Sequence, residues 1–243
     1  LLILAGLGIN GEAEAAVTLL DNGGANWSAA SESTTPAAIT SHTYTAPAGS
    51  DRAVIVVVTG EGGPPTVTSV TVGGSAVTQI ATLAQGANSI WVGYRLIGTS
   101  ASTTSANIAV TWNTSPTTAS SIQAATYGDV KQTAGQGAGN TINSIATGAA
   151  GSYPVTTATN VFNAAGGAVN NALNGRVIYT QNANQGSGDN QTGTGTSTAW
   201  SFTEVWDIYV DADYRAAAGH SSTTAAGSGT VSVTSGTTTN RVV

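Results

Sequence analysis

Apolar positions along most of this chain recur with a period of two, the spacing of strands that bury one face. Residues 41–45 (SHTYT) alternate, and so do residues 89–97, where Ile90, Val92, Tyr94 and Leu96 alternate with Trp91, Gly93 and Arg95. Residues 53–58 (AVIVVV) form instead a continuous apolar run, which predicts a central strand covered on both faces. Residues 66–72 and 76–82 flank Gly73-Gly74, a hairpin signal. Further strands are expected at 107–112, 121–127, 154–159, 176–180 (after the turn pair Asn174-Gly175), 199–210, 230–234 and 240–243. Stretches 22–37 and 181–198 are rich in turn formers and small polar residues and read as loops. Residues 162–173 alone could hold a short helix, and Gly166-Gly167 weakens it.

Short strands separated by Gly/Asn/Ser turns predict an all-β chain, a single jelly-roll-like β-sandwich with an N-terminal extension strand. No period of 20–50 residues argues for a solenoid or propeller. The expected organisation is an apolar strand and tether over 1–16, a linker and first strand over 17–37, and the sandwich over 38–243. Residues 1–9 (LLILAGLGI) followed by Ala13-Glu14-Ala15 have the form of a secretory signal with an A-x-A cleavage site. No initiating Met precedes them, and the segment is read here as retained. Nine residues reach about 14 Å as a helix, too short for a bilayer, but about 30 Å as a strand.

Composition narrows the function. Of 243 residues, Gly accounts for 31 and charged residues for only 7%, against roughly 25% in an ordinary soluble domain. The net charge is −6 and there is no basic run, which argues against a nucleic-acid partner. There is no apolar stretch long enough for a spanning helix. Without Cys there is no disulfide framework, thiol nucleophile or thiolate metal site.

The succession SDRAVIVVVTGEG, PTVTSVTVGGSAVTQIA, NSIWVGYRLI, IAVTW and IQAATYGDV, closing on GTVSVTSGTTTNRVV, resembles a β-sandwich domain of secreted and surface-attached microbial proteins and of some phage structural proteins. The likeness spans about residues 38–243 and implies an extracellular, non-catalytic module. The chain departs from that pattern in the extra apolar segment 1–9 and in its last strand, which is shorter than the pattern leads one to expect.

Catalytic constellations are scarce. His42 and His220 lie far apart in sequence, His42 in an alternating strand and His220 in a Gly-Ser-Thr stretch read as a turn. Both read as surface or rim histidines. No G-x-S-x-G elbow occurs, and Gly135-Gln136-Gly137-Ala138-Gly139 lacks the Lys and the βαβ context of a phosphate loop. Strand alternation should set Glu204 and Asp207 on opposite faces. Asp51, Glu61 and Asp129 read as turn residues. Asp211 and Asp213 at a strand end could offer oxygen ligands to Ca²⁺; no other cofactor is expected. Asn26, Asn113 and Asn190 each begin an N-x-S/T sequon and are glycosylation candidates. Trp91, Trp112, Trp200 and Trp206 read as core; Trp27 reads as exposed.

Leu1, Leu2, Ile3, Leu4, Leu7 and Ile9 are the candidate subunit-interface residues. Left in water they would hold roughly 10 kcal/mol of unrealised burial free energy, and a sheet edge offers both burial and backbone partners. A shortened last strand would leave such an edge vacant, with residues 10–16 and 22–37 as a flexible tether. The expectation is therefore a homopolymeric, non-enzymatic subunit of an extracellular filament, pilus-like or sheath. The alternatives are an adhesin or carbohydrate-binding module, whose partners are glycans, and a phage or virus structural protein.

Overall fold

The computed structural model describes residues 16–20, 27–32, 38–134, 149–150, 169–171, 178–185, 194–197, 201–211, 214–221, 227–229, 231–234 and 238–242. In chain order the strands are β1 (Thr18–Leu19), β2 (Trp27–Glu32), β3 (Ser41–Ala46), β4 (Gly49–Glu61), β5 (Thr66–Val72), β6 (Ser75–Ala76), β7 (Thr78–Gln85), β8 (Asn88–Ser100), β9 (Thr104–Thr114) and β10 (Ala119–Gly128). They continue as β11 (Ala149–Ala150), β12 (Val169–Asn171), β13 (Ile178–Gln185), β14 (Thr194–Ser197), β15 (Phe202–Asp211), β16 (Tyr214–Ser221), β17 (Gly227–Gly229), β18 (Val231–Thr234) and β19 (Thr238–Val242). No helix occurs among the described residues, and every described strand pair is antiparallel.

Three sheets carry the core. The central sheet has the order β10-β4-β8-β7, with β1 and β2 both on the outer side of β10. A front sheet runs β3-β9-β5-β6 and a back sheet β11-β19-β13-β16-β15. The pairs β12-β17 and β14-β18 complete the fold.

Alternation along β4 explains the layering. Val54, Val56 and Val58 join Trp91, Ile122 and Ala124 against Tyr44, Val70, Val72, Ile108 and Val110 of the front sheet. Ala53, Ile55 and Val57 join Ile90, Val92, Tyr94, Ala125 and Tyr127 against Ile178, Val205 and Ala218 of the back sheet. The run 53–58 is thus buried on both faces, as its lack of alternation predicts. The β-sandwich expected from the sequence is present, and its central sheet takes part in two face-to-face packings.

The predicted hairpin at Gly73-Gly74 forms as a two-residue turn, with Val72 opposite Ser75. Both glycines have positive φ, 56° and 76°, as a type I′ turn demands. The expected strand 76–82 is divided: β6 stays with the front sheet, whereas β7 pairs with β8 in the central one. Val77 makes the crossing, buried between the two sheets, and its N–H donates to Val70 O at 2.9 Å.

Other expectations change on folding. The stretch 22–37 contains β2, and 181–198 contains the end of β13 and all of β14. Within 162–173 the described residues Val169–Asn171 form a strand on β17 rather than a helix. The expected strand at 154–159 lies outside the described residues.

Candidate assembly edge

The outer side of β10 carries both β1 and β2. All ten residues of β10 are buried, although only short segments lie beyond it. Thr18 stands opposite Gly128 and Leu19 opposite Tyr127. Leu20 N–H then donates to Thr126 O at 2.9 Å. The next β10 position, Ala125, meets Trp27, and the ladder runs on to Glu32 opposite Ser120. β1 and β2 therefore occupy successive stretches of the same side of β10.

Leu20 packs closely over two glycines. A Cβ at Gly128 would stand 2.9 Å from Leu20 Cδ2, and one at Gly49 would stand 2.6 Å from Leu20 Cδ1. The two glycines lie on β10 and β4, so a single leucine fastens the edge strand across two others. Val17 and Leu19 pack on the back core beside it.

Polar groups pin the same region. Tyr44 and Thr126 hydroxyls hydrogen-bond between the front and central sheets. Burial pushes the Tyr44 phenol up to about 12, partly offset by the Thr126 bond and the nearby Arg52 charge. Arg52 is 2% exposed and donates to Gly98 O at 2.8 Å and Pro47 O at 2.7 Å. Ser121 bonds to both Thr59 and Gln123 on the back face of the sheet, and all three are fully buried. Sequence patterning marks neither Arg52 nor Gln123, because each breaks the rule that strand interiors are apolar.

The opposite edge of the central sheet is β7, whose outer side has no paired strand among the described residues. Ile80 and Leu83 are half-buried there and pack on the back core, while Gln79, Thr82 and Ala84 are exposed. The bulge at Ile80 leaves a regular ladder with β8 over residues 81–85.

The sequence-derived candidates distribute unevenly over this frame. Leu1, Leu2, Ile3, Leu4, Leu7 and Ile9 lie outside the described residues, as do Asn26, Asn190, Asp213 and Trp200. Asp211 ends β15, opposite Tyr214. Asn113 is exposed on β9, and its Nδ2 donates to Thr66 Oγ1 at 3.3 Å. Trp27 begins β2 rather than sitting in a loop. Trp91 is buried and donates to Gln79 Oε1 at 3.0 Å; the half-buried Trp112 donates to Ile39 O at 2.9 Å.

Several local readings are corrected. His220 is no turn residue: it lies in β16, is buried, and its Nδ1 is 3.2 Å from Tyr127 Oη. His42, by contrast, is a half-buried rim residue of β3 as expected, and loss of hydration lowers its pKa from 6.5. Asp51 and Asp129 do adopt left-handed backbone, φ 40° and 56°, but Glu61 is the buried end of β4. Between Glu204 and Asp207 the register of β15 is shifted. A bulge between Glu204 and Trp206 sets Glu204 opposite Gly219 and Asp207 opposite Ala217, two positions of one β16 face. Finally, β19 is not a vacant edge; it lies between β11 and β13.

Among the described residues no three His, Asp or Glu side chains gather to hold a metal ion, and no helix is long and apolar enough to cross a membrane. No protein-family model matches the chain, and neither a curated protein nor a solved structure matches it.

Proposed function

We propose that this chain is a non-enzymatic structural subunit of an extracellular filament, joined head to tail by insertion of residues 1–9 into a neighbouring copy. The observation that carries the reading is the edge strand on β10. Six residues, 10–15, separate the apolar segment from Ala16, where the described chain begins along that rim. An apolar strand tethered at a sheet edge is suited to reach a second molecule and add to its sheet. Such a contact joins two different surfaces, so it repeats without closing and yields an open polymer.

The outer face of the front sheet supports lateral packing of such polymers. Ser41, Thr43, Ser69, Asn107, Ala109 and Thr111 are exposed there, and none is charged. The exposed Asn113 sequon lies on the same strand as Asn107 and suits a glycan-bearing surface.

Light scattering and negative-stain microscopy of the full chain and of a chain lacking residues 1–9 test the reading. The full chain should form polymers, and the shortened chain should be monomeric with an unchanged β-type circular dichroism spectrum. Polymers from the shortened chain, or a full chain that stays monomeric at high concentration, would overturn it.

A further inference from the structure

We infer that the acceptor for the apolar segment is the outer edge of β7 in a second copy of this chain, an inference that rests on the filament reading above. Three observations converge on β7. It lies at the far side of the central sheet from the strand that carries the tether. Donor and acceptor on opposite edges of one sheet give a head-to-tail contact in which the central sheets of successive copies run on from one another.

The second observation is the two-faced character of β7. On its back-core side it carries the half-buried Ile80, Ala81 and Leu83, and on its other side the exposed Gln79, Thr82 and Ala84. β11 and β19 of the back sheet both pack beside it, and among the described residues neither pairs to it, so the apolar side stands at the rim of an existing core. A strand added there would extend that core.

The third is the sequence of the donor. In an extended strand, Leu1, Ile3, Ala5, Leu7 and Ile9 share one face, while Leu2, Leu4, Gly6 and Gly8 share the other. The first set is an unbroken apolar stripe that matches Ile80, Ala81 and Leu83. The second ends in two glycines, which leave the exposed side uncrowded. Nine residues also span the eight of β7.

The chain contains no Cys, so paired cysteines report the contact directly. Leu4→Cys combined with Ala84→Cys places two thiols on the outward side of the proposed ladder. Leu4→Cys with Thr43→Cys places the second thiol on β3, the edge of the front sheet. After mild oxidation the β7 pair should give a ladder of linked copies on a non-reducing gel. Its yield should be at least about tenfold above the β3 pair, because a seated strand holds its partner at high effective concentration. A single Ala84→Lys change should shorten the polymers while leaving the monomer's circular dichroism unchanged. Polymers that form without a β7 ladder, or equal ladders from both pairs, would overturn the β7 acceptor and leave the filament reading standing. A full chain that never polymerises would overturn both.

Discussion

Tyr127 Oη and His220 Nδ1 stand 3.2 Å apart, and their rings meet edge to face at 5.8 Å, so one polar contact ties β10 of the central sheet to β16 of the back sheet. Both residues are buried, so removing the hydroxyl takes a partner from a buried polar atom. Tyr127→Phe keeps the ring and removes the hydroxyl. It should cost about 1–3 kcal/mol, read as a lower urea midpoint with an unchanged slope. No change in midpoint would show that the contact contributes nothing.

The Leu20 socket makes a prediction about coupling. Leu20→Ala should loosen the edge strand by about 1–3 kcal/mol, and Gly128→Val should do so by driving Leu20 from its seat. The double variant should be clearly less destabilised than the two losses added, because the clash needs both side chains. Hydrogen exchange at residues 18–20 would localise the effect, and strict additivity would refute the socket.

His42 gives an acid limb. Its folded pKa lies below 6.5, so as pH falls through 6.5 the unfolded chain takes up a proton that the folded chain declines. Stability from this group is complete above 6.5 and falls until pH drops below the folded value. Thermal scans from about pH 7 to about pH 5 should show a shallower loss for His42→Gln than for the unaltered chain.

Tyr44 gives the alkaline counterpart. An unfolded tyrosine ionises near 10.0, whereas the buried Tyr44 holds its proton to about 12. The unfolded chain therefore loses a proton first, and stability declines as pH rises from 10.0 to about 12. Phenolate absorbance of the folded protein should include a late phase, and Tyr44→Phe should reduce it by one tyrosine's worth. The same substitution removes the bond to Thr126, so its stability at neutral pH should fall modestly.

Strand existence was written locally, and strand partnership was not. The run at 53–58 and the alternation at 89–97 announced β4 and β8, because burial on two faces or one imposes its own spacing on side chains. Gly73-Gly74 announced its turn, because few other residues accept positive φ twice in succession. β2 gave no such signal. After Trp27 its sequence, SAASE, is small and polar, and it is a strand because β10 offers it backbone partners.

The edge at β10 was not legible in the sequence, and the apolar segment that the sequence singles out lies outside the described residues. Residues 1–9 stand out by hydropathy, but the edge at β10, the Leu20 socket and the two-faced β7 depend on residues far apart in sequence. The burial of His220 is of the same kind: a histidine amid Gly, Ser and Thr becomes a core residue once β16 lies across from Tyr127. The bulge near Val205 likewise undid the alternation that would have parted Glu204 from Asp207.

By itself the sequence determined the all-β character of the described residues, the place of strands such as β4, β5 and β8, and that the strand at 53–58 would be covered twice. Tertiary structure alone decided which strand lies beside which and which polar groups are shut inside. The reason is that side chains encode faces, whereas pairing is made by backbone groups common to every residue, so a partner is chosen only when the whole set of edges competes.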